Sequence, residues 1–434
     1  MKTIKIAPAK GLRGVVRVPG DKSISHRAAI LSAIACGKTT IKNFLFSDDC
    51  LATLGALSAL GVRISADKKA AKVVIASSGG FKKPRSLLFM KESGTSARVL
   101  LGLLSGQDFS TELTAAPSLL RRPMQRVIEP LALMGARIKA SGKSKEGFLP
   151  LQVLPSRLHG IHWRQKIASA QVKSAILLAG LYAEGRTVVE EPQKTRDHTE
   201  RMLKIFGADI KIKGGKITLT AGVLRSPRNI FVPGDISSAV FFIVAALAVK
   251  NSRILIKDVG INPSRMGAVR VLKRMGGRIK ILRKRSIFEP IADIEVQTSA
   301  LKATTIKAHE IPCLIDELPI LMVAAGIARG RSVIEGVQEL RVKETDRIAS
   351  MVSNLTKLGV NIKVRLLNKG ESIEITGGDG LSGADLLSFC DHRTAMSMVV
   401  AGLAAKGRSS LDDISCVTKS FPDFLGVLKH LLVK

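Results

Sequence analysis

The sequence predicts an α/β fold with two lobes, each built from three repeated βαβαββ-type units, with helices and sheets packed around a central cleft. Two observations carry this prediction. An apolar residue followed by Gly, two further residues and Ile recurs five times, and a degraded sixth copy falls near Leu425. The tetrapeptide Val-Pro-Gly-Asp occurs twice, three units apart. The repeated glycines are Gly61, Gly135, Gly207, Gly276 and Gly359, and the tetrapeptide covers 18–21 and 232–235.

Each unit contains the same elements in the same order. An apolar helix comes first, a Gly-containing turn and a β-branched strand follow, and a loop leads to an amphipathic helix, as at 48–60. A glycine ends this second helix, and a hairpin closes the unit, as at 210–219 around Gly214 and Gly215. The predicted first helices are 23–34, 169–181, 237–249 and 393–404, and the strands after them are 37–41, 185–189, 330–334 and 407–411.

The two Pro-Gly turns also predict the domain boundaries, because Pro-Gly pairs are typical of turns between elements. We expect one domain of three units at 21–232 and a second formed by 1–20 together with 233–434. The two crossovers, near 19–21 and 232–235, form a natural hinge for closure around a ligand.

Composition and charge limit the functional classes. Of 434 residues, 46% are hydrophobic and 24% charged, which is typical of a globular protein. The formal charge of +33 raises the possibility of nucleic-acid binding, but the excess is spread along the chain and only 4% of residues are aromatic. We therefore expect a basic surface that attracts small anions, and no nucleic-acid partner.

The sequence also bears on location. The longest apolar run, 239–249, is too short to cross a bilayer, and the N-terminus lacks the apolar stretch of a signal peptide. Five scattered cysteines indicate a reducing compartment. We expect a cytoplasmic monomer with no membrane contact, since the repeats form both lobes within one chain.

Basic residues precede the second helix in five of the six units, where the helix N-terminus would ordinarily favour Asp or Glu. Such placement indicates a bound anion, and a ligand with several anionic groups fits the whole set. The chain has no Gly-rich P-loop of the NTPase type, and its histidines have no cysteine partners at metal-ligand spacing, so we predict no metal. The basic loops contain 121–122, 194–196, 264–265, 341–343 and 418–420.

Two acidic positions lie within this basic field. Asp316 begins an apolar helix, where its ordinary role is that of an N-cap. Glu344 lies between Lys343 and Arg347, where its ordinary role is an exposed ion pair. A carboxylate in a closing, cation-lined cleft could instead transfer protons. The residues alone thus indicate an enzyme that performs acid–base chemistry on multiply anionic small molecules.

Nine segments, in order along nearly the full chain, resemble the enolpyruvyl transferase family, specifically its EPSP synthase (3-phosphoshikimate 1-carboxyvinyltransferase) members of class II. The resemblance implies transfer of the enolpyruvyl group of phosphoenolpyruvate to the 5-hydroxyl of shikimate 3-phosphate, with release of phosphate, in aromatic amino-acid biosynthesis. It implies addition and elimination through a tetrahedral intermediate and no dissociable cofactor. The segments are 19–27, 93–98, 121–124, 168–171, 195–199, 315–319, 341–347, 391–393 and 419–423.

The resemblance also implies roles for individual residues. Asp316 would accept the hydroxyl proton, while Glu344 and Lys22 would exchange protons with the methylene carbon; which group performs which transfer stays open. The expected shikimate 3-phosphate contacts are Lys22, Ser23, Arg27, Ser169, Ala170, Gln171, Arg196, Asp316 and Lys343. The expected phosphoenolpyruvate contacts are Lys22, Gly94, Arg122, Gln171, Arg347, Arg393 and Lys419.

Some positions depart from the family pattern. Glu92 stands where the family usually has Asn, and its carboxylate could repel phosphoenolpyruvate or pair with a nearby Arg. Glu339 also occupies a position that some members fill with Asn. Gly94 leaves room beside the phosphoenolpyruvate site, so we expect glyphosate to inhibit.

The sequence argues against two other functions. The transferase acting on UDP-N-acetylglucosamine carries a reactive Cys in a lid loop, and the corresponding segment 115–124 has none. An RNA-binding or RNA-end-processing protein would account for the charge but not for the set of phosphate-binding loops.

Overall fold

The computed structural model describes residues 3–142, 144–367 and 370–433. The chain divides into two compact units. The inserted unit is Gly20–Val232, and the terminal unit combines Met1–Pro19 with Pro233–Lys434. The polypeptide thus leaves the terminal unit once, completes the inserted unit, and returns.

Helices and strands alternate along both units. The helices are α1 (Lys22–Ile34), α2 (Asp48–Ala59), α3 (Gly94–Leu104), α4 (Pro117–Leu120), α5 (Gln125–Leu133), α6 (Ala170–Gly180), α7 (His198–Ile205), α8 (Ile236–Ala248), α9 (Gly267–Arg274), α10 (Leu318–Ile327), α11 (Arg347–Lys357), α12 (His392–Ala404) and α13 (Phe424–Leu431). Short 3₁₀ turns cover Ala308–Cys313, Ile315–Glu317, Gln338–Val342 and Ser415–Lys419.

The strands are mostly short. They are β1 (Ile4–Ile6), β2 (Arg13–Arg17), β3 (Ala35–Lys42), β4 (Arg63–Asp67), β5 (Lys72–Ser78), β6 (Leu88–Phe89), β7 (Thr111–Thr114), β8 (Arg137–Ala140), β9 (Leu151–Leu154), β10 (His162–Arg164), β11 (Arg186–Glu190), β12 (Ile210–Lys213), β13 (Lys216–Thr220), β14 (Leu224–Arg225), β15 (Asn229–Phe231), β16 (Arg253–Gly260), β17 (Arg278–Ser286), β18 (Pro290–Gln297), β19 (Thr305–Ile306), β20 (Gly330–Glu335), β21 (Asn361–Leu367), β22 (Gly370–Gly377), β23 (Leu381–Ser382), β24 (Asp385–Leu386), β25 (Ala405–Lys406) and β26 (Ser409–Leu411).

The sheets repeat one pattern. A central strand pairs antiparallel with one strand of the hairpin that follows it, and parallel with a strand on its other side. The predicted hairpin at 210–219 is confirmed, with Ile210 opposite Leu219 and the two glycines in the turn. The sheet orders are β14-β3-β5-β4 with β15 also on β3, β6-β7-β9-β8, β10-β11-β13-β12, β17-β18-β16-β2, β19-β20-β22-β21 and β1-β26-β24, beside a small β23-β25 pair.

The N-terminal strands complete sheets of the terminal unit. Strand β2 pairs in parallel with β16, and β1 pairs antiparallel with β26, with Ile4 opposite Leu411. β1 therefore takes the position that a hairpin strand occupies elsewhere, and the degraded sixth repeat contains helix α13 instead of a further hairpin.

The five repeated glycines share one backbone conformation. Their φ angles are +86° at Gly61, +96° at Gly135, +82° at Gly207, +92° at Gly276 and +84° at Gly359. Each lies directly after the C-cap residue of a second helix, where a left-handed residue ends the helix and glycine adopts that conformation without strain. The repeat is therefore a repeated helix C-terminus.

The first helix of each repeat packs into the hydrophobic core of its unit. In the inserted unit α3 and α6 pack so closely that a Cβ at Gly102 would lie 2.1 Å from the carbonyl oxygen of Ala175. In the terminal unit α8, α10 and α12 pack together. The buried residues of α8 and α10 are almost wholly apolar, whereas α12 also buries His392, Arg393, Thr394 and Ser397. No helix in the described part of the chain is long and apolar enough to span a membrane.

One expected helix start is wrong. Asp316 lies in the 3₁₀ turn before α10, and Glu317 rather than Asp316 occupies the N-cap position. The carboxylate of Asp316 is therefore not used as a helix cap, and its neighbours are guanidinium groups.

Candidate functional sites in the two units

The start of α1 places a lysine beside an aspartate. Asp21 caps the helix by accepting a hydrogen bond from the Ile24 amide at 2.9 Å. Lys22 follows it, and its Nζ lies 3.0 Å from Oδ2 of Asp49 in the first turn of α2. Because both side chains are largely buried, the ammonium group is held in place and keeps a charged partner.

Arg27 joins three helices of the inserted unit. Its guanidinium donates to Oγ1 of Thr199 and to Oγ of Ser174, both at 2.7 Å, and to the carbonyl oxygen of Ser23 at 3.0 Å. Arg27 is 5% exposed. It therefore fixes the start of α1 against α6 and α7, which places Ser23 near the N-terminal end of α6.

The N-termini of α3 and α6 are linked by Gln171. Its Nε2 donates to Oγ1 of Thr95 at 3.0 Å, while its Oε1 accepts from Arg98 at 3.2 Å. Ser169 caps α6 by accepting from the Val172 amide at 3.4 Å, and Ala170 is the first helical residue. The loop residues expected to touch substrate thus surround two neighbouring helix N-termini, where backbone N–H groups favour anions.

Gly94 lies directly against two arginines. A Cβ at this position would be 2.8 Å from a terminal nitrogen of Arg98 and 3.2 Å from one of Arg122. Nε of Arg122 is buried and makes no hydrogen bond to any residue that the structure describes. Nearby, Glu92 accepts a hydrogen bond from the hydroxyl of Ser118 at 2.8 Å. The start of α3 is therefore a cationic surface on which only glycine fits without displacing a guanidinium group.

A buried arginine organises the candidate site of the terminal unit. Arg347 is 1% exposed, donates from Nε to Asp391 at 3.0 Å, and donates from a terminal nitrogen to Glu344 at 2.5 Å. Its other terminal nitrogen makes no hydrogen bond within the described chain and lies 3.7 Å from Oδ1 of Asp316. Burial alone would lower the pKa of Arg347, but the carboxylates of Asp391, Glu344 and Asp316 raise it, so the group stays charged.

Asp316 faces a second guanidinium. A terminal nitrogen of Arg393 lies 3.9 Å from its Oδ2. The backbone of Arg393 is fixed because Asp391 caps α12, accepting from the amides of Arg393 and Thr394, both at 2.9 Å. We call Asp316, Glu344, Arg347, Asp391 and Arg393 the arginine–carboxylate cluster.

Two lysines belong to neighbouring segments of the terminal unit. Nζ of Lys343 lies 3.6 Å from Glu339, and burial lowers the pKa of Lys343 although Glu339 and Asp316 oppose the shift. Nζ of Lys419 donates to the carbonyl oxygen of Cys390 at 3.5 Å, just before α12.

The expected basic loops do not all remain available to a ligand. Arg265 is buried, lies 3.1 Å from Asp235 and donates to Ser237 at 2.6 Å. Glu317 lies 3.9 Å from the same guanidinium. The cation of the fourth module therefore serves the core of the terminal unit, and the prediction that this loop faces an anion is wrong.

Sequence reasoning missed three residues of these sites. Asp49 was missed because acidic residues are common in the first turn of any helix. Asp391 was missed because Asp is a common N-cap residue whether or not it also binds a cation. Arg98 belongs to a segment that carried the family resemblance, but nothing in its local pattern indicated a contact with Gln171.

These geometries favour anion binding and proton transfer. Asp316 and Glu344 are carboxylates with 23% and 29% of their side chains exposed, each beside the fixed guanidinium of Arg347. A carboxylate that is accessible to a ligand and oriented by a buried cation can accept or donate a proton. Cations oriented in the same way stabilise the negative charge of phosphate and carboxylate groups.

Comparison with known proteins agrees with this chemistry. The sequence profile of the family EPSP synthase (3-phosphoshikimate 1-carboxyvinyltransferase) matches residues 6–428. The chain is 47% identical over 434 residues to the 3-phosphoshikimate 1-carboxyvinyltransferase of Geotalea uraniireducens, covering 100% of both chains. It is 46% identical over 424 residues to that of a Thermoanaerobacter species, covering 97% of this chain and 98% of the relative.

Solved structures give the same result. EPSP synthase from Acinetobacter baumannii matches with a TM-score of 0.88 and 42% identity, covering 100% of this chain and 99% of that one. The enolpyruvyl transferase NikO from Streptomyces tendae shares the fold at 18% identity, with a TM-score of 0.81 over 98% of this chain and 96% of that one. The fold class predicted from the repeats is confirmed, and the chain belongs to the EPSP synthase (3-phosphoshikimate 1-carboxyvinyltransferase) family, which catalyses enolpyruvyl transfer in aromatic amino-acid biosynthesis.

Proposed function

We propose that this chain binds phosphoenolpyruvate and shikimate 3-phosphate through the residues predicted from its sequence. The observation that carries the proposal is the arginine–carboxylate cluster, in which a terminal nitrogen of buried Arg347 lacks a hydrogen-bond acceptor among the described residues. A buried charged donor without an acceptor is costly, and a substrate phosphate or carboxylate would satisfy it.

The two substrates use overlapping groups. The ring and phosphate of shikimate 3-phosphate contact Lys22, Ser23, Arg27, Ser169, Ala170, Gln171, Arg196, Asp316 and Lys343. Phosphoenolpyruvate contacts Lys22, Gly94, Arg122, Gln171, Arg347, Arg393 and Lys419. Most of these positions lie at helix N-termini or just before them, where backbone dipoles add to the side-chain charges.

The chemistry proceeds in two steps without a cofactor. In the addition, Asp316 accepts the proton of the 5-hydroxyl as its oxygen bonds to C2 of phosphoenolpyruvate, and C3 gains a proton to become a methyl group. In the elimination, C3 loses a proton, the C2–phosphate oxygen bond breaks, phosphate departs, and the C2–C3 double bond is restored. We assign the proton exchange at C3 to Glu344 and Lys22, and stabilisation of the departing phosphate to the arginines.

Phosphate release from the two substrates tests the proposal. Lys22→Met keeps a side chain of similar length but removes the cation, so we expect activity to disappear. Lys38→Met, at an exposed position of β3, is the matched control and should behave as the parent chain. An active Lys22→Met variant would contradict the role of Lys22, and near-normal turnover of Asp316→Ala would contradict the assignment of the base.

The state of the protein in the cell is a separate proposal. We propose that the protein is cytoplasmic, since the five cysteines are free thiols and two of them, Cys36 and Cys390, are exposed. We also propose that it is a monomer, since the repeats form both lobes within one chain. Sedimentation velocity of the purified chain at micromolar concentration should give a single species of the mass of one chain, and a dimer would refute the monomer.

A further inference from the structure

A lysine is completely buried inside the inserted unit. Lys173 lies in α6, two residues after Gln171, with a side chain that is 0% exposed. Its Nζ lies 2.8 Å from Oε2 of Glu191 and 2.6 Å from Oε1 of Glu200. The two glutamate side chains are themselves only 3% and 2% exposed, so water does not screen the three charges.

This cluster is poorly explained as a source of stability. Taking charges out of water is costly, and well-packed apolar residues often replace a buried ion pair without loss of stability. The cluster also has one cation for two carboxylates, and burial raises the pKa of Glu200. Oε2 of Glu200 is buried without a hydrogen-bond partner in the described chain. A buried ion cluster of this kind can serve to fix a conformation.

The conformation that it fixes is the loop between β11 and α7. Glu191 directly follows β11, and its Oε1 accepts hydrogen bonds from the hydroxyl of Thr195 and from the Thr195 amide, the latter at 3.2 Å. Glu200 lies on α7, beyond the other end of the loop. Lys173 thus holds both flanks of the loop, while Glu191 closes it upon Thr195.

Thr195 is joined to Arg196, the residue proposed to contact the phosphate of shikimate 3-phosphate. We propose that Lys173, Glu191 and Glu200 form a positioning cluster that orders the 191–197 loop and so sets the affinity for the phosphate of that substrate. The inference rests on the proposed function, because it assigns a purpose to a group within the same site. The three residues do not touch the reacting atoms; they act through the backbone of Thr195 and Arg196.

Glu191→Gln is the most direct perturbation. The single amide oxygen of Gln can accept from Lys173 or from Thr195 but cannot reproduce both sets of contacts. We expect the KM for shikimate 3-phosphate to rise about tenfold, which corresponds to the loss of one charge-assisted contact. The KM for phosphoenolpyruvate and kcat should stay within about twofold. Glu190→Gln is the matched control, because Glu190 is partly exposed and pairs with His162 and Lys216 outside the loop.

A double-mutant cycle separates positioning from general damage. Arg196→Ala alone should also weaken shikimate 3-phosphate, and adding Glu191→Gln should then produce little further loss, since both act through one group. Thr195→Val, which leaves the ion cluster intact, should raise the same KM, and Thr195→Ser should restore it. Isothermal calorimetry with shikimate 3-phosphate alone provides a readout that does not require turnover.

The inference is overturned if Glu191→Gln behaves like Glu190→Gln, or if its effect adds fully to that of Arg196→Ala. It is also overturned if both KM values rise and kcat falls together with thermal stability. Failure of the proposed function would look different, because the parent chain would then neither bind shikimate 3-phosphate nor release phosphate.

Discussion

Replacing Arg347 with Met should separate the structural role of the arginine–carboxylate cluster from its chemical role. The substitution preserves an unbranched side chain but leaves Asp391, which is 0% exposed, without the two guanidinium contacts it makes at 3.0 Å. Removing one partner of a buried ion pair costs about 3–5 kcal/mol of unfolding free energy. The matched control is Arg253→Met, whose 3.0 Å pair with Glu295 has an arginine that is 67% exposed. Arg253→Met should lower the free energy of unfolding by less than about 1 kcal/mol.

A second substitution shows where the cost originates. Asp391→Asn in the Arg347→Met background removes the stranded charge yet retains an N-cap acceptor for the amides of Arg393 and Thr394. Stability from urea unfolding, followed by circular dichroism, should recover in part. Phosphate release, which we expect Arg347→Met to abolish because the cation at the proposed phosphoenolpyruvate site is lost, should not return. The reasoning is refuted if Arg347→Met is no more destabilised than Arg253→Met, or if the double variant regains activity.

Three further predictions follow from single features. Gly94→Ala should reduce inhibition by glyphosate more than it raises the KM for phosphoenolpyruvate, because the new methyl group displaces guanidinium groups. Inhibition curves at fixed phosphoenolpyruvate check this, and a variant as sensitive to glyphosate as the parent chain would contradict it. Burial lowers the pKa of Lys343, so kcat/KM for shikimate 3-phosphate should fall on the alkaline side at a pH below the pKa of an ordinary lysine. Lys343→Arg should move this alkaline limb to higher pH, and an unmoved pH profile would exclude Lys343 as the titrating group. Gly102→Ala should lower the free energy of unfolding by about 1–3 kcal/mol, because its Cβ would meet the backbone of Ala175. Gly55→Ala, at an exposed position of α2 with open space around it, should instead raise the free energy of unfolding by about 0.5–1 kcal/mol. Thermal unfolding distinguishes the two variants, and similar shifts would refute the packing argument.

The sequence predicted those parts of the fold that depend on local chemistry. The repeated glycines gave the ends of the second helices, since a left-handed residue is required there and few residues other than glycine adopt it. The hairpin around Gly214 and Gly215 followed for the same reason. Pairing between distant segments was not predictable, because nothing in residues 4–6 indicates that they lie beside 409–411.

The candidate sites show the same division. The loops that carry Lys22, Arg122 and Arg347 were recognisable because their charges oppose helix dipoles or match a family pattern. The partners that orient those charges were not, since Asp49 and Asp391 also satisfy ordinary helix-start preferences. The prediction for Arg265 was wrong for the converse reason. Its local pattern matched that of the other basic loops, but its carboxylate partners, Asp235 and Glu317, belong to the core of the terminal unit.

The placement of β1 and β2 has a consequence for biosynthesis. Each strand that the structure describes in the inserted unit pairs with other strands of residues 20–232, so the sheets of that unit can form while the ribosome is still translating the remainder. The first strands to emerge must instead stay unpaired until their partners near residues 253–257 and 409–411 are made. A circular permutant that begins at Pro233 and joins residue 434 to residue 1 would make the terminal unit contiguous. It should shorten the delay, since forming contacts between distant segments slows folding.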